Sequence, residues 1–302
     1  MSSGTTADDD RARSSGAYWD RVAAEGVGDA RYWLGVLPVR RWVNRRMTGD
    51  PDKLFIQKFL EGLRDRWPLP EAASIGCGPG DLERGVVNLG AVSRIHGSDI
   101  GEGSIRLATA AADREGLSGR VSYSVSDAAQ FLERAIAAGE RYDLIFFHGV
   151  LHHLIDLERV VELASKALRD DPPGLIYVDE YIGPSRDRWT AETLGYAAGL
   201  FERIPDRFRR TPHVYPPIAM EDPTEMIRSD EIEPILRERL EIVEWVPYYG
   251  NVLNPLVCSI RADALEEPEV DAVLIEAMAL EEFLVSRDLL KPLYAACVAR
   301  RR

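Results

Sequence analysis

Two stretches of this chain carry residue types at spacings that can do chemistry. The first is a run of glycines, Gly76, Gly78 and Gly80, in ASIGCGPGDLERG (residues 73–85), where a short apolar segment gives way to a helical pattern. Glycines at such a turn allow positive φ and let a ligand reach the backbone with no Cβ in the way, so a nucleotide-like ligand is expected. The second is the histidine pair His152 and His153 in IFFHGVLHHL, preceded by His148 and Gly149. Imidazole changes charge near neutral pH, so the pair can take a proton from an acceptor or orient it; both rings can equally just pack at a helix start. Beyond them lies VDEYIGPSR, with Asp179, Glu180, Tyr181 and Arg186. Glu180 is a candidate to orient an acceptor hydroxyl or amine, and Arg186 to pair with an acidic group, unless the charges form a structural ion bridge.

The ligand can be narrowed. A dinucleotide fingerprint needs a third glycine at position 81, where this chain has Asp81, and no G-K-[ST] follows the turn to make a phosphate-binding loop of the Walker type. A carboxylate repels a pyrophosphate and favours a ligand with an ammonium group; alternatively, Asp81 caps the helix at Leu82. Asp99, at the end of HGSD, falls ~20 residues beyond the glycines, where an acidic side chain accepts both hydroxyls of a ribose. Asp127 and Ala128, in SVSDAAQF, suit an adenine amino group and ring, and Asp127 is equally placed to cap a helix.

These residues fall at the ends of elements that must hold them. Short apolar runs (AASIG, SRIHGSD, VSYSVSD, YDLIFFHG, GLIYVDEYIG) alternate with helical stretches predicted at Leu82–Leu89, Gly103–Glu115, Ala128–Ala138 and Leu157–Leu168. That alternation predicts right-handed βαβ units around a mostly parallel sheet. Residues 1–16 read as a flexible arm, because Ser, Thr, Gly and Asp dominate them. Residues 17–70 read as an N-terminal helical cap, and residues 71–302 as the main domain. Helical insertions are expected at about 185–234 and 258–290, with strand character returning at LEIVEWVPYYG and LYAACVAR.

Composition sets outer bounds. The 302 residues are 45% hydrophobic, enough for a sizeable core, and no apolar run reaches the ~20 residues a membrane span needs. The polar, acidic start lacks the pattern of a signal peptide, so a cytoplasmic location is expected. The three cysteines, Cys77, Cys258 and Cys297, are widely separated, and neither disulfides nor a metal site is expected. A formal charge of −13 weakens attraction to nucleic acid and anionic membrane, and neither is expected as a partner.

Taken together, SIGCGPGDLERG, Asp99, SDAAQF and YDLIFFHGVLHHLIDLERVV resemble the successive motifs of class I S-adenosylmethionine-dependent methyltransferases, over about residues 70–182. The resemblance implies an α/β, Rossmann-like sheet of order 3-2-1-4-5-7-6, with S-adenosyl-L-methionine as cofactor. It implies that Gly76, Cys77, Gly78 and Gly80 face the methionine part, Asp99 and Ile100 the ribose, Asp127 and Ala128 the adenine, and His148 the region near sulfur. His152 and His153 lie where many small-molecule members carry a histidine after the fourth strand, and His153 is the favoured base or orienting residue. The expected reaction is methyl transfer to an oxygen or nitrogen of a small molecule, with a saccharide or secondary-metabolite intermediate as one possibility. Two alternatives stand beside it: a noncatalytic S-adenosylmethionine-binding interaction protein, and a protein or RNA methyltransferase. Substrate choice is expected to reside in YYGNVLNPLV (248–257), EDPTEMIRSDEI (221–232) and the N-terminal helices.

Overall fold

The computed structural model describes residues 5–25, 32–218 and 221–302. Seven strands form one sheet in the order β3-β2-β1-β4-β5-β7-β6. They are β1 (Leu69–Ile75), β2 (Val92–Asp99), β3 (Val121–Val125), β4 (Leu144–His148), β5 (Leu175–Tyr181), β6 (Glu241–Tyr248) and β7 (Tyr294–Arg300). β1 to β5 are parallel, and β7 runs antiparallel to both its neighbours. Strand order reverses between β1 and β4, which opens a crevice beyond their carboxyl ends.

The local patterns explain the layers. All of Leu144, Ile145, Phe146 and Phe147 are at most 1% exposed, as expected of a central parallel strand covered on both faces. Successive strand residues alternate between two hydrophobic clusters: Ala72, Phe146 and Tyr177 join one, and Ala73, Phe147 and Val178 the other. The second cluster is completed by α6 (Ala128–Ala137), α7 (Leu157–Ala167) and α9 (Ile232–Arg239). In α7 the buried stripe Leu157, Val160, Val161 and Ala164 follows helical spacing. The first cluster gathers α4 (Asp81–Asn88), α5 (Glu102–Arg114), the cap helices α2 (Leu37–Thr48) and α3 (Phe55–Gly62), and the insertion helices α8 (Ala191–Phe201), α10 (Leu253–Cys258) and α11 (Pro268–Ser286). Trp42 of α2 stacks on Tyr249 after β6 with ring centroids 3.7 Å apart, which ties the cap to the C-terminal half.

Several expected boundaries shift. Helix α1 spans Thr5–Glu25, so it takes in most of the stretch read as an arm; residues 1–4 lie outside the described residues. The cap ends before Leu69, which already belongs to β1. The first insertion closes with α9, which starts at Ile232 and runs past residue 234, and the second begins at α10 rather than at residue 258. Among the described residues, no helix is long and apolar enough to cross a membrane.

Candidate active site

The crevice begins at the glycine turn between β1 and α4. Gly76, Gly78 and Gly80 all have positive φ, at 68°, 52° and 78°. Their surroundings differ. A Cβ on Gly76 would lie 2.3 Å from Val150 Cγ2, so glycine is needed there for packing, whereas a Cβ on Gly78 would meet nothing within 4 Å. Gly78 therefore presents bare backbone to open space, which is where a ligand can approach. Asp99, at the end of β2, braces this turn: Gly78 N donates to its Oδ2 at 2.9 Å and Gly101 N to its Oδ1 at 2.8 Å. Burial raises its pKa, and the two N–H donors hold it down in part. Each oxygen keeps a lone pair, which fits a pair of ribose hydroxyls.

The remaining residues expected at the cofactor are placed as follows. Ile100 follows Asp99 and lies against helix α1: a Cβ on Gly16 would sit 3.3 Å from its carbonyl oxygen. Asp127 is the N-cap of α6, with Oδ1 accepting from Ala129 N at 2.9 Å and Gln130 N at 3.2 Å; Ala128 opens that helix and is buried. His148 is half-exposed at the end of β4, 3.8 Å from Asp179 Oδ2, and Gly149 follows it with φ 66°. Cys77 is partly buried, and burial pushes its thiol well up from the usual range, leaving it uncharged. Asp81 does not cap α4: the cap position belongs to Gly80, while the Asp81 side chain is 80% exposed and pairs with Arg84. Behind the turn, Glu83 is fully buried; burial pushes its pKa up to about 7, with Ser74 opposing the shift in part.

The histidine pair sits on a short 3-10 turn, Leu151–His153, directly after β4. Glu180 on β5 accepts four hydrogen bonds there. Val150 N and Leu151 N donate to Oε2 at 2.8 and 2.6 Å, while Tyr181 N at 2.8 Å and His152 Nδ1 at 2.5 Å meet Oε1. Its side chain is wholly buried. Both Glu180 oxygens are thus engaged by the turn and by His152. His153 is held differently, with Nδ1 at 3.2 Å from Thr224 Oγ1 and 3.3 Å from Asp222 Oδ2. Burial pulls the His152 pKa down, but Glu180, then Glu225 and Asp222, outweigh it and push it up to about 9. Burial and the charge on His152 both lower the pKa of His153, which stays neutral.

The partners of His153 escaped the sequence reading. Asp222 is fully buried, and it also accepts from Trp19 Nε1 at 2.8 Å and Ser15 Oγ at 3.1 Å. Helix α1 thus lies over the histidines, with the Trp19 ring edge-on to His153 at 5.5 Å. The same helix also reaches the segment after β2, where Asp20 Oδ1 accepts from Gly103 N at 2.7 Å at the start of α5. Glu225 completes the group, and Arg186 donates from Nη1 to the Asp222 carbonyl at 3.0 Å. His152, His153 and Glu225 form a grouping that can hold a metal ion, which the sequence reading did not expect. EDPTE lies in a stretch expected to govern substrate choice, but nothing in a single sequence links Asp222 or Glu225 to histidines some 70 residues earlier.

Strand order, glycine turn, strand-end Asp99 and post-β4 histidines define a class I, Rossmann-like S-adenosylmethionine-dependent methyltransferase. A model of the methyltransferase-domain family matches residues 74–237, over half of the chain, and the chain belongs to that family. It is 37% identical over 103 residues to a ubiquinone biosynthesis O-methyltransferase of Methylobacterium sp. (strain 4-46), covering 34% of this chain and 37% of that one. It is 30% identical over 196 residues to the protein of the same name from Rhizobium etli, covering 65% and 66%. The chain thus spans about a third and just under two thirds of these two relatives' lengths. Among solved structures, geranyl diphosphate C-methyltransferase from Streptomyces coelicolor A3(2) aligns at 13% identity and a TM-score of 0.49, over 86% of this chain and 89% of that one.

Proposed function

We propose that this protein transfers a methyl group from S-adenosylmethionine to a hydroxyl oxygen, or a nitrogen, of a small molecule held between the glycine crevice and helix α1. The observation that carries the reading is that an open ligand approach at Gly78 and Asp99 adjoins a roofed histidine pair. The cofactor supplies a methyl already activated on a sulfonium, so the chain's residues have mainly to bind, align and exclude water. Gly78 and Asp99 hold the methionine and ribose ends, and Asp127 and Ala128 the adenine. Trp19 and the 222–225 segment shield the acceptor space.

His153 acts on the acceptor. Its Nδ1 is engaged by Thr224 and Asp222, so the neutral ring carries its proton there and leaves a lone pair on Nε2. The O-methyltransferase names of the two relatives favour oxygen over nitrogen. The test is calorimetric titration with S-adenosylhomocysteine. Hydrogen bonds to a charged group are worth ~1.5–3 kcal/mol, so Asp99→Ala should weaken binding about ten- to a hundredfold. An unchanged Kd in the folded variant, or preferential binding of NAD by the wild type, would reject the reading.

A further inference from the structure

His152, His153 and Glu225 meet in an arrangement that methyl transfer by alignment alone does not require. Each offers one ligand atom, and the three atoms lie within 4.8 Å of one another. The Nε2 atoms of the two histidines face different oxygens of Glu225, each at 3.9 Å. That is too long for a hydrogen bond, yet within the roughly 4 Å that two ligands can span when each lies ~2.0–2.2 Å from a shared ion.

The outer contacts point the same way. Each imidazole is fixed through Nδ1, His152 by Glu180 at 2.5 Å and His153 by Thr224 at 3.2 Å and Asp222 at 3.3 Å. Carboxylates on Nδ1 keep a proton on that nitrogen and leave Nε2 as the atom that meets an ion, the usual support for a metal-bound histidine. Glu225 supplies the independent observation. Its side chain is only 10% exposed, and it faces both rings at 3.9 Å, within ion-pair range but beyond a hydrogen bond. An ion held between the three groups would satisfy a carboxylate that is costly to bury otherwise. The Trp19 ring lies edge-on to His153, and the two histidine rings are tilted against each other with centroids 4.0 Å apart.

We propose that His152 Nε2, His153 Nε2 and a Glu225 oxygen bind one divalent first-row transition ion, with zinc the best match. Two imidazoles and one carboxylate suit zinc, whereas magnesium and calcium take all-oxygen sets. Three protein ligands leave at least one position for an acceptor oxygen. This deepens the reading above, on which it rests for the acceptor: with the ion bound, the histidines act on the acceptor through the metal instead of taking its proton directly. Glu180 and Asp222 are positioning residues for the ligands.

The experiment is titration of the full chain, first stripped with chelator, with Co²⁺ followed by visible absorption and with Zn²⁺ by calorimetry. Mg²⁺ serves as a comparison. The expected result is one equivalent bound with a preference for Zn²⁺ and Co²⁺ over Mg²⁺. Glu225→Gln and His153→Ala should each lose roughly 100-fold or more in affinity, and Glu180→Gln ~10–100-fold. Where Glu225→Gln fails to fold, His152→Asn carries the same test. No binding of Co²⁺ or Zn²⁺, or binding that these substitutions leave unchanged, overturns the site. Calorimetry with S-adenosylhomocysteine on the wild-type chain keeps the two readings separate: binding of the nucleoside product without Co²⁺ or Zn²⁺ tells against the ion alone, and binding of the ion without the nucleoside product tells against the methyltransferase reading.

Discussion

Replacing Glu180 with glutamine is the sharpest probe of how the histidine turn is held. The carboxylate accepts two backbone N–H bonds on Oε2 and meets Tyr181 N and His152 Nδ1 on Oε1. A carboxamide of the same shape has only one oxygen, so its NH₂ must face one of these pairs of donors. Two hydrogen bonds to a charged acceptor are then lost, each worth ~1.5–3 kcal/mol, for a total of roughly 3–6 kcal/mol. Against a typical folding stability of ~5–15 kcal/mol that is a large share. Denaturant unfolding of wild type and Glu180→Gln under identical, metal-free conditions reads it directly, with circular dichroism confirming that both start folded. S-adenosylhomocysteine should still bind the folded variant, because the reading proposed above holds the cofactor at Gly78 and Asp99 and not at Glu180. An unfolding free energy within about 1 kcal/mol of wild type would refute the argument, since it would mean that the four bonds at Glu180 do not hold the turn.

Two other substitutions test separate steps. His153→Ala should lower turnover by ~10²–10⁴-fold with cofactor affinity nearly intact, whether the ring acts alone or through an ion; near-normal turnover on an identified acceptor would remove it from the chemistry. Glu83→Gln should stabilise the protein in a pH-dependent way. The folded pKa of about 7 lies above the ordinary value of 4.5, so the fold prefers the protonated acid, and the associated stability is present below pH ~4.5 and lost as pH rises through about 7. The variant's advantage should therefore grow from near zero below pH ~4 to roughly 3 kcal/mol at pH ~8. A gap that stays flat with pH would show that Glu83 is ionised in both states.

The sheet was legible because each central strand announced itself as an apolar run and each crossover helix as a spaced stripe. All four predicted crossover helices start and end within one residue of α4 to α7. The first part of helix α1, up to Gly16, was read as an arm because it has little apolar periodicity of its own. Its described contacts are long-range: Asp20 to the start of α5, and Ser15 and Trp19 to Asp222. For the site, Gly78, Asp99 and the histidine pair were visible because motif spacing is local. Glu180 was visible, but its place at a strand end does not reveal that four donors surround it. Asp222, Thr224 and Glu225 could not be matched to the histidines, because the chain between them follows no repeating pattern that fixes which residues meet.

The most direct test of the central claim is transfer of an isotopically labelled methyl group from S-adenosylmethionine, followed over a panel of phenols, sugars and amines with the wild-type chain and Asp99→Ala in parallel. The expected result is label appearing on at least one acceptor, in step with S-adenosylhomocysteine, with apparent cofactor KM raised about ten- to a hundredfold in the variant. Failure of the wild-type protein to bind S-adenosylmethionine or S-adenosylhomocysteine would contradict the claim outright. Tight binding of the cofactor without transfer to any member of the panel would contradict the enzymatic reading and favour a noncatalytic binding protein.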